Sequence, residues 1–306
     1  MARIADLADT LTRRKGLLAA RDVLFPEFGN EPAARLAEGV LRAPSRGWRP
    51  PPILSACPAE APAGPAPSSG PATPARILAE RGWEAPSLLA RAAAARRALI
   101  AARVGGAWWE PDAGPELPEG GLAIVAFAEP ALAGVTAARR ADPGTGTAML
   151  DAALSACPAG QVVVLAAPRG AGGRGARSGM AQARGVTVIE RPRDPWSLLD
   201  RADRVYSIGG EIGFLALLAG IPVTAFAAAP YTGWGVTEDH ASVPRHGFRR
   251  PVEEIFAGIC LVAMRCRDPF RDTPTSFEEA LAILADWRRI EIANRRVAVC
   301  VGMSFW

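Results

Sequence analysis

Residues 206–239 read YSIGGEIGFLALLAGIPVTAFAAAPYTGWGVTED, and positions 212–229 within them carry no charged side chain. An uncharged run of that length could cross a bilayer as one helix, but Gly220 and Pro222 divide it into a helix and a strand, each too short to cross. The run is therefore read as buried core. Residues 204–208 form a short apolar strand, Gly209 and Gly210 permit a tight turn, and residues 212–218 continue as an apolar helix. Gly220 ends that helix, and residues 223–226 read as the next buried strand. This is a βαβ unit. Its helix begins at free backbone N–H groups, where phosphate can sit, so Gly209, Gly210 and Gly213 are the candidate phosphate-binding residues.

After the second strand comes APYTGWGVTED, with two aromatic residues among glycines, a composition that suits a rigid loop at the ligand edge of an open α/β sheet. Tyr231 and Trp234 have two readings of equal weight, stacking on a base or sugar and packing of the loop itself. Asp239 caps the following turn or, less directly, holds an acceptor hydroxyl. Glu211 reads as an exposed carboxylate favouring the helix dipole. The only histidines, His240 and His246, fall in a polar segment and read as solvent-facing.

The same stretch resembles a known family. GFLALLAGIPVTAF followed by APYTGWGVTED is similar to the signature of the capsule polysaccharide biosynthesis family, whose characterised members are retaining β-Kdo transferases using CMP-Kdo. The resemblance covers roughly residues 199–287 and extends weakly to AEGVLRAP near the N-terminus, which is similar to the family's EDGFLRS: Gly39, Leu41 and Arg42 match, while Ala37, Glu38 and Val40 stand where Glu, Asp and Phe are usual. It implies a GT-B arrangement, two Rossmann-like domains facing a cleft, with CMP-Kdo as donor, a lipid-linked Kdo acceptor and no cofactor or metal. It also implies polar groups that this chain lacks. The family's Glu, Asp, HP pair, Thr-Ser and buried Glu fall at Ala37, Leu132, Ala167 before Pro168, Gly209-Gly210 and Leu215. Two readings follow, a Kdo-type transferase and a catalytically silent relative that binds a partner glycosyltransferase or an acceptor glycan. An unrelated nucleotide-sugar enzyme using GGEIG as its phosphate turn is a third and weaker one.

Further division of the chain rests on composition. Residues 1–48 hold one amphipathic helical face at 4–11, an apolar piece at 23–25 and the EDGFLRS-like segment, a partial N-terminal Rossmann-like region poor in recognisable strands, so that truncation of that domain is open. Residues 49–75 are dense in Pro, Ala, Gly and Ser and read as a linker. Residues 76–121 read as a helical connection interrupted at Pro86 and leading to a turn at Gly105-Gly106. Residues 122–250 alternate strands (122–128, 162–166, 186–189) with helices (146–156, and one started by Asp194-Pro195), which argues for a mostly parallel sheet covered on both faces. Residues 251–306 read as closing helices, one at 252–264 and one from 277 to about 294 started by the capping box Ser276 and Glu279, with a turn at Asp268-Pro269 between them; the final VGMSFW resembles the start of a second family module.

Composition narrows the partners. The 35 Lys and Arg, almost all Arg, scatter without forming a stripe, so a net charge of +4 and a pI near 9.1 do not indicate nucleic acid. The five cysteines are odd in number and lack any C-x-x-C pair, so neither a disulfide framework nor a zinc site is indicated, and a reducing cytoplasm fits. The N-terminus shows no apolar signal-peptide core. A cytoplasmic protein is expected, with peripheral attachment at the inner face of the inner membrane compatible with its basic residues.

Overall fold

The computed structural model describes residues 36–44, 54–58, 72–111, 114–127, 143–166, 181–182, 184–240, 243–271 and 273–300. Positions 4–11, 23–25, Leu132, Ala167-Pro168, the Gly/Arg-rich stretch after it and the final VGMSFW lie outside them.

Six short strands make an all-parallel sheet: β3 (Leu122–Ala126), β4 (Val162–Leu165), β5 (Thr187–Ile189), β6 (Ala202–Ser207), β7 (Val223–Ala225) and β8 (Glu238–Asp239), in the order β5-β4-β3-β6-β7-β8. The central strands β3 and β4 are apolar on both sides because both faces are covered. Leu122, Ile124 and Ala126 of β3 belong to one apolar cluster and Ala123 and Val125 to another, so the pleat feeds two cores. Helix α3 (Pro143–Ala156) brings Met149, Leu150 and Ala153 to the second core. Helices α4 (Pro195–Leu199) and α5 (Glu211–Ala219) lie on the first. The strand order reverses between β3 and β6, and in an open parallel sheet that reversal marks the ligand crevice, at the carboxyl ends of the two strands. The turn at Gly209-Gly210 follows β6 and sits at this switch point.

Local chemistry starts and stops the elements where expected. Asp194 Oδ1 accepts from Trp196 N at 3.0 Å with Pro195 at the first helical position, starting α4. Gly220 closes α5 in the left-handed conformation at φ +80°. Ser276 Oγ accepts from Glu279 N at 3.2 Å while the Glu279 carboxylate accepts from Ser276 N at 3.1 Å, the capping box that opens α7 (Phe277–Cys300). The connection contains α1 (Pro74–Ala79) and α2 (Pro86–Ala102), with Pro86 as the first residue of α2.

Two expectations are corrected. The Pro/Ala/Gly-rich linker contains a fully buried strand, β2 (Ser55–Pro58), and the closing region contains two strands, β9 (Arg265–Asp268) and β10 (Thr273–Thr275). With β1 (Leu36–Glu38) these form a separate antiparallel sheet in the order β1-β2-β9-β10. Four residues inside a low-complexity window are enough for a strand when a partner such as β9 comes from far along the chain. The helix expected at 252–264 is α-helical only over α6 (Val252–Phe256) and continues to Ala263 with π-helical bonding. No helix among the described residues is long and apolar enough to cross a membrane.

Candidate functional site

Gly209, Gly210 and Gly213 are all buried. Gly209 N donates to Ser207 Oγ at 2.9 Å, and Tyr231 Oη donates to Gly210 O at 2.9 Å while lying 3.2 Å from Ser207 Oγ. Gly213 is required by this packing, because a Cβ there would run into the Tyr231 hydroxyl and Ser207. Tyr231 and Trp234, buried to within 1% of full exclusion, pack the loop. Trp234 Nε1 donates to Pro230 O at 2.8 Å, and its ring stacks on His246 with centroids 3.4 Å apart. Asp239 Oδ1 accepts from Gly233 N at 3.2 Å and from Thr237 Oγ1 at 2.6 Å, so these bonds hold the loop before it and not the following turn. His240 and His246 are exposed as expected, yet each lies against an aromatic ring, His240 on Phe226. Burial pushes the His246 imidazole below its ordinary value, with Asp239 acting the other way.

Glu211 overturns its sequence reading. It is 1% exposed, folded inward from the first turn of α5 instead of standing in solvent. Its Oε1 accepts from Gly106 N at 3.1 Å, and Oε2 lies 3.3 Å from Arg42 Nη1 without a hydrogen bond among the described residues. Arg42 is in turn 3.6 Å from the Glu38 carboxylate, which is partly exposed. The Gly105-Gly106 turn fits over α5 only as glycine: Gly106 has φ +63°, and a Cβ on it would sit 3.0 Å from Pro195. Spacing pairs none of these groups. The retained Arg42 of AEGVLRAP and the double glycine were visible separately, but only long-range packing puts them on one carboxylate.

Burial pushes the Glu211 carboxyl above the ordinary 4.5, opposed by Arg42 and the Gly106 amide and reinforced by Glu38. A carboxyl raised on folding binds more protons in the native state between its unfolded and folded values, so its contribution is full below 4.5 and lost as pH rises through the folded value. Glu211→Gln is therefore expected to be more stable than the parent at neutral pH, the advantage shrinking as pH falls through the raised folded value and ending by 4.5. Denaturation midpoints of both proteins from pH 4 to 8, about the range in which carboxyls of this kind titrate, test it; a difference independent of pH would refute the assignment.

Among the described residues no group of three or more His, Cys, Asp or Glu side chains is arranged to hold a metal ion. Residues 148–265 match the profile of the capsule polysaccharide biosynthesis protein family, a span that runs from within α3 to the start of β9 and includes β6 and α5. That segment is similar to the capsule polysaccharide biosynthesis family. It is 32% identical over 174 residues to the capsule polysaccharide modification protein LipA of Neisseria meningitidis serogroup B, covering 54% of this chain and 25% of that one. The chain thus spans about a quarter of the length of the curated relatives it matches. Among solved structures, the β-Kdo 2,4 transferase of Thermosulfurimonas dismutans KpsC superposes with TM-score 0.64 at 27% identity, over 82% of this chain and 78% of that one. The β-Kdo 2,7 transferase of the same protein shares the fold, with TM-score 0.53 at 18% identity over 86% and 77%. The fold is GT-B-like.

Proposed function

We propose that this chain is a glycosyltransferase-fold module of capsule polysaccharide assembly, derived from the CMP-Kdo-dependent β-Kdo transferases, that no longer turns over the donor and acts by binding an acceptor glycan or a partner glycosyltransferase on the cytoplasmic side of the membrane. The observation that carries this reading is the head of α5. Where the fold offers backbone amides to a phosphate, Gly209 N is bonded internally to Ser207 and Gly209, Gly210 and Gly213 are buried. The Thr-Ser pair of the family signature is replaced here by Gly209-Gly210, and its buried Glu by Leu215. Stabilising a departing phosphate needs donors aimed at it, and losing one such donor costs about a hundredfold in rate.

The test is CMP release from CMP-Kdo with a phospholipid-linked Kdo acceptor, beside an intact family transferase. Turnover at least about a hundredfold below that control is expected. Turnover within about tenfold of the control would overturn the reading. A second reading, an active transferase, is favoured by the Glu38–Arg42–Glu211 cluster, which keeps two carboxylates and an arginine together near the start of α5.

A further inference from the structure

Three of the cysteines meet in one part of the core. Strand β2 pairs with β9 in the register Ser55↔Cys266, so Cys57, two residues beyond Ser55, stands on the same face of the small sheet as Cys266. Cys260 comes from the π-helical stretch Ala257–Ala263, a rare backbone form that recurs at functional sites. Burial, and after it the neighbouring Cys266 and Cys57, push the Cys260 thiol well above its ordinary value, so both sulfurs are within electrostatic reach of Cys260. Two of the three thiols share a space with a thioether: Cys260, Met264 and Cys266 line one pocket of about 240 Å³, bordered by the exposed Arg91 and Pro274. Among the described residues its lining holds three sulfur side chains and no imidazole or carboxylate. Cys57 does not line it.

We propose that Cys260, Cys266 and Met264 form a site for a soft monovalent metal ion of the copper(I) type, bound by two thiolates with the thioether as a weaker third ligand. Thiolate and thioether sulfur select copper(I) over harder ions, and a pocket without imidazole or carboxylate offers magnesium, calcium or manganese nothing they prefer. Zinc is disfavoured for a second reason, since structural zinc takes four ligands and only two thiols line this space. Burial and the Glu278 carboxylate push the Cys266 thiol up to about 12, and Arg265 opposes them. A thiol of that basicity stays protonated without a metal and becomes a strong donor once the proton is displaced. Binding exchanges two S–H protons, which leave to solvent, for two metal–sulfur bonds, with no change of oxidation state. The complex of a monovalent ion with two thiolates carries a single negative charge. Arg265 stands beside it on the pocket wall, its Nη1 donating to Val262 O at 2.7 Å and to Met264 O at 3.1 Å. A neutral complex of a divalent ion would gain nothing from that guanidinium. The metal site would be present whether or not the module turns over a donor.

Anaerobic titration of the protein against copper(I) supplied as its bicinchoninate complex reads the affinity, and X-ray absorption reads the ligands. The parent is expected to withdraw about one copper(I) per chain, with a first shell of sulfur alone. Cys266→Ala and Cys260→Ala should each weaken binding at least about a hundredfold, since an inner ligand is worth no less than the outer partners that orient it. Met264→Leu, which conserves volume, should weaken binding by about tenfold. Cys57→Ala, Cys157→Ser and Cys300→Ser should leave it within about twofold of the parent, as uncoupled positions do. An excess of zinc should not displace the bound ion. If Cys260→Ala does not fold, Cys266→Ala, Met264→Leu and the spectrum of the parent decide. No withdrawal of copper(I), nitrogen or oxygen in its first shell, affinity that survives Cys266→Ala, or a loss that follows Cys57, Cys157 or Cys300 instead would overturn the proposal.

Discussion

Arg250→Met is expected to lower the stability of the protein by about 3–5 kcal/mol, the usual cost of removing one partner from a buried ionic cluster. The Arg250 side chain is 1% exposed and sits between two carboxylates, 2.7 Å from Glu84 and 2.6 Å from Glu254. Its Nε donates to Leu78 O at 2.5 Å and its Nη2 to Glu80 O, and the guanidinium lies over the rings of Trp83, Phe248 and Trp234. The residue therefore ties the loop after β8 to the end of α1 and the start of α6. Methionine has the length to fill part of the space but leaves two acids and two carbonyls without their donor. Lysine should fail nearly as badly, because one ammonium cannot serve four acceptors spread around a planar fork.

The pH dependence of that loss has a definite sign. Desolvation raises the Glu84 carboxyl, but hydrogen bonds and the charge of Arg250 outweigh it and hold the group below the ordinary 4.5. A carboxyl depressed on folding stabilises the native state above its unfolded value and ceases to do so as pH falls through the folded one. The gap between parent and Arg250→Met should therefore be widest at neutral pH and narrow on acidification below 4.5. Urea denaturation at pH 7 and pH 4 reads both; a loss under about 1 kcal/mol at pH 7 would mean that the cluster contributes no more than an exposed pair.

The parallel half of the molecule was readable because its signals are local. Gly220 and Pro222 can only end a helix and begin something else, Asp194-Pro195 can only start one, and Ser276 with Glu279 satisfy each other within a single turn. The small antiparallel sheet was not readable. Ser55–Pro58 pairs with Arg265–Asp268 across more than half the chain, and neither segment has a period long enough to stand out from its surroundings. The site divides in the same way. Tyr231, Trp234 and Asp239 were placed in one loop by spacing, yet whether they face a ligand or each other depends on Ser207, Pro230 and Gly233 closing around them. Glu211 was misread as exposed because a charged residue at the first turn of a helix has a sufficient local explanation. Its actual partners, Arg42 and Gly106, come from two other segments.

The other large effect is expected at Leu215, whose side chain is fully buried in a helix excluded from solvent over residues 211–218. Leu215→Asp should cost about 4 kcal/mol or more, since it buries a second carboxylate beneath Gly105 and Gly106 and also removes a packed leucine. Leu215 and Glu211 are one helical turn apart on the same face: a Cβ on Gly106 would lie 3.5 Å from Leu215 Cδ1 and 3.8 Å from Glu211 Oε2. An acid at 215 would therefore meet the buried acid at 211. The resemblance to the capsule family places its buried glutamate at 215, and here the buried carboxylate stands one turn earlier, under the same double glycine. Two such acids so close cannot both ionise. Leu215→Asp combined with Glu211→Gln should consequently recover about 1 kcal/mol or more of the loss, a coupling that two independent sites would not show. Thermal and urea melts of the two single variants and the double variant measure it, and strict additivity would mean that positions 211 and 215 do not share one cavity beneath Gly106.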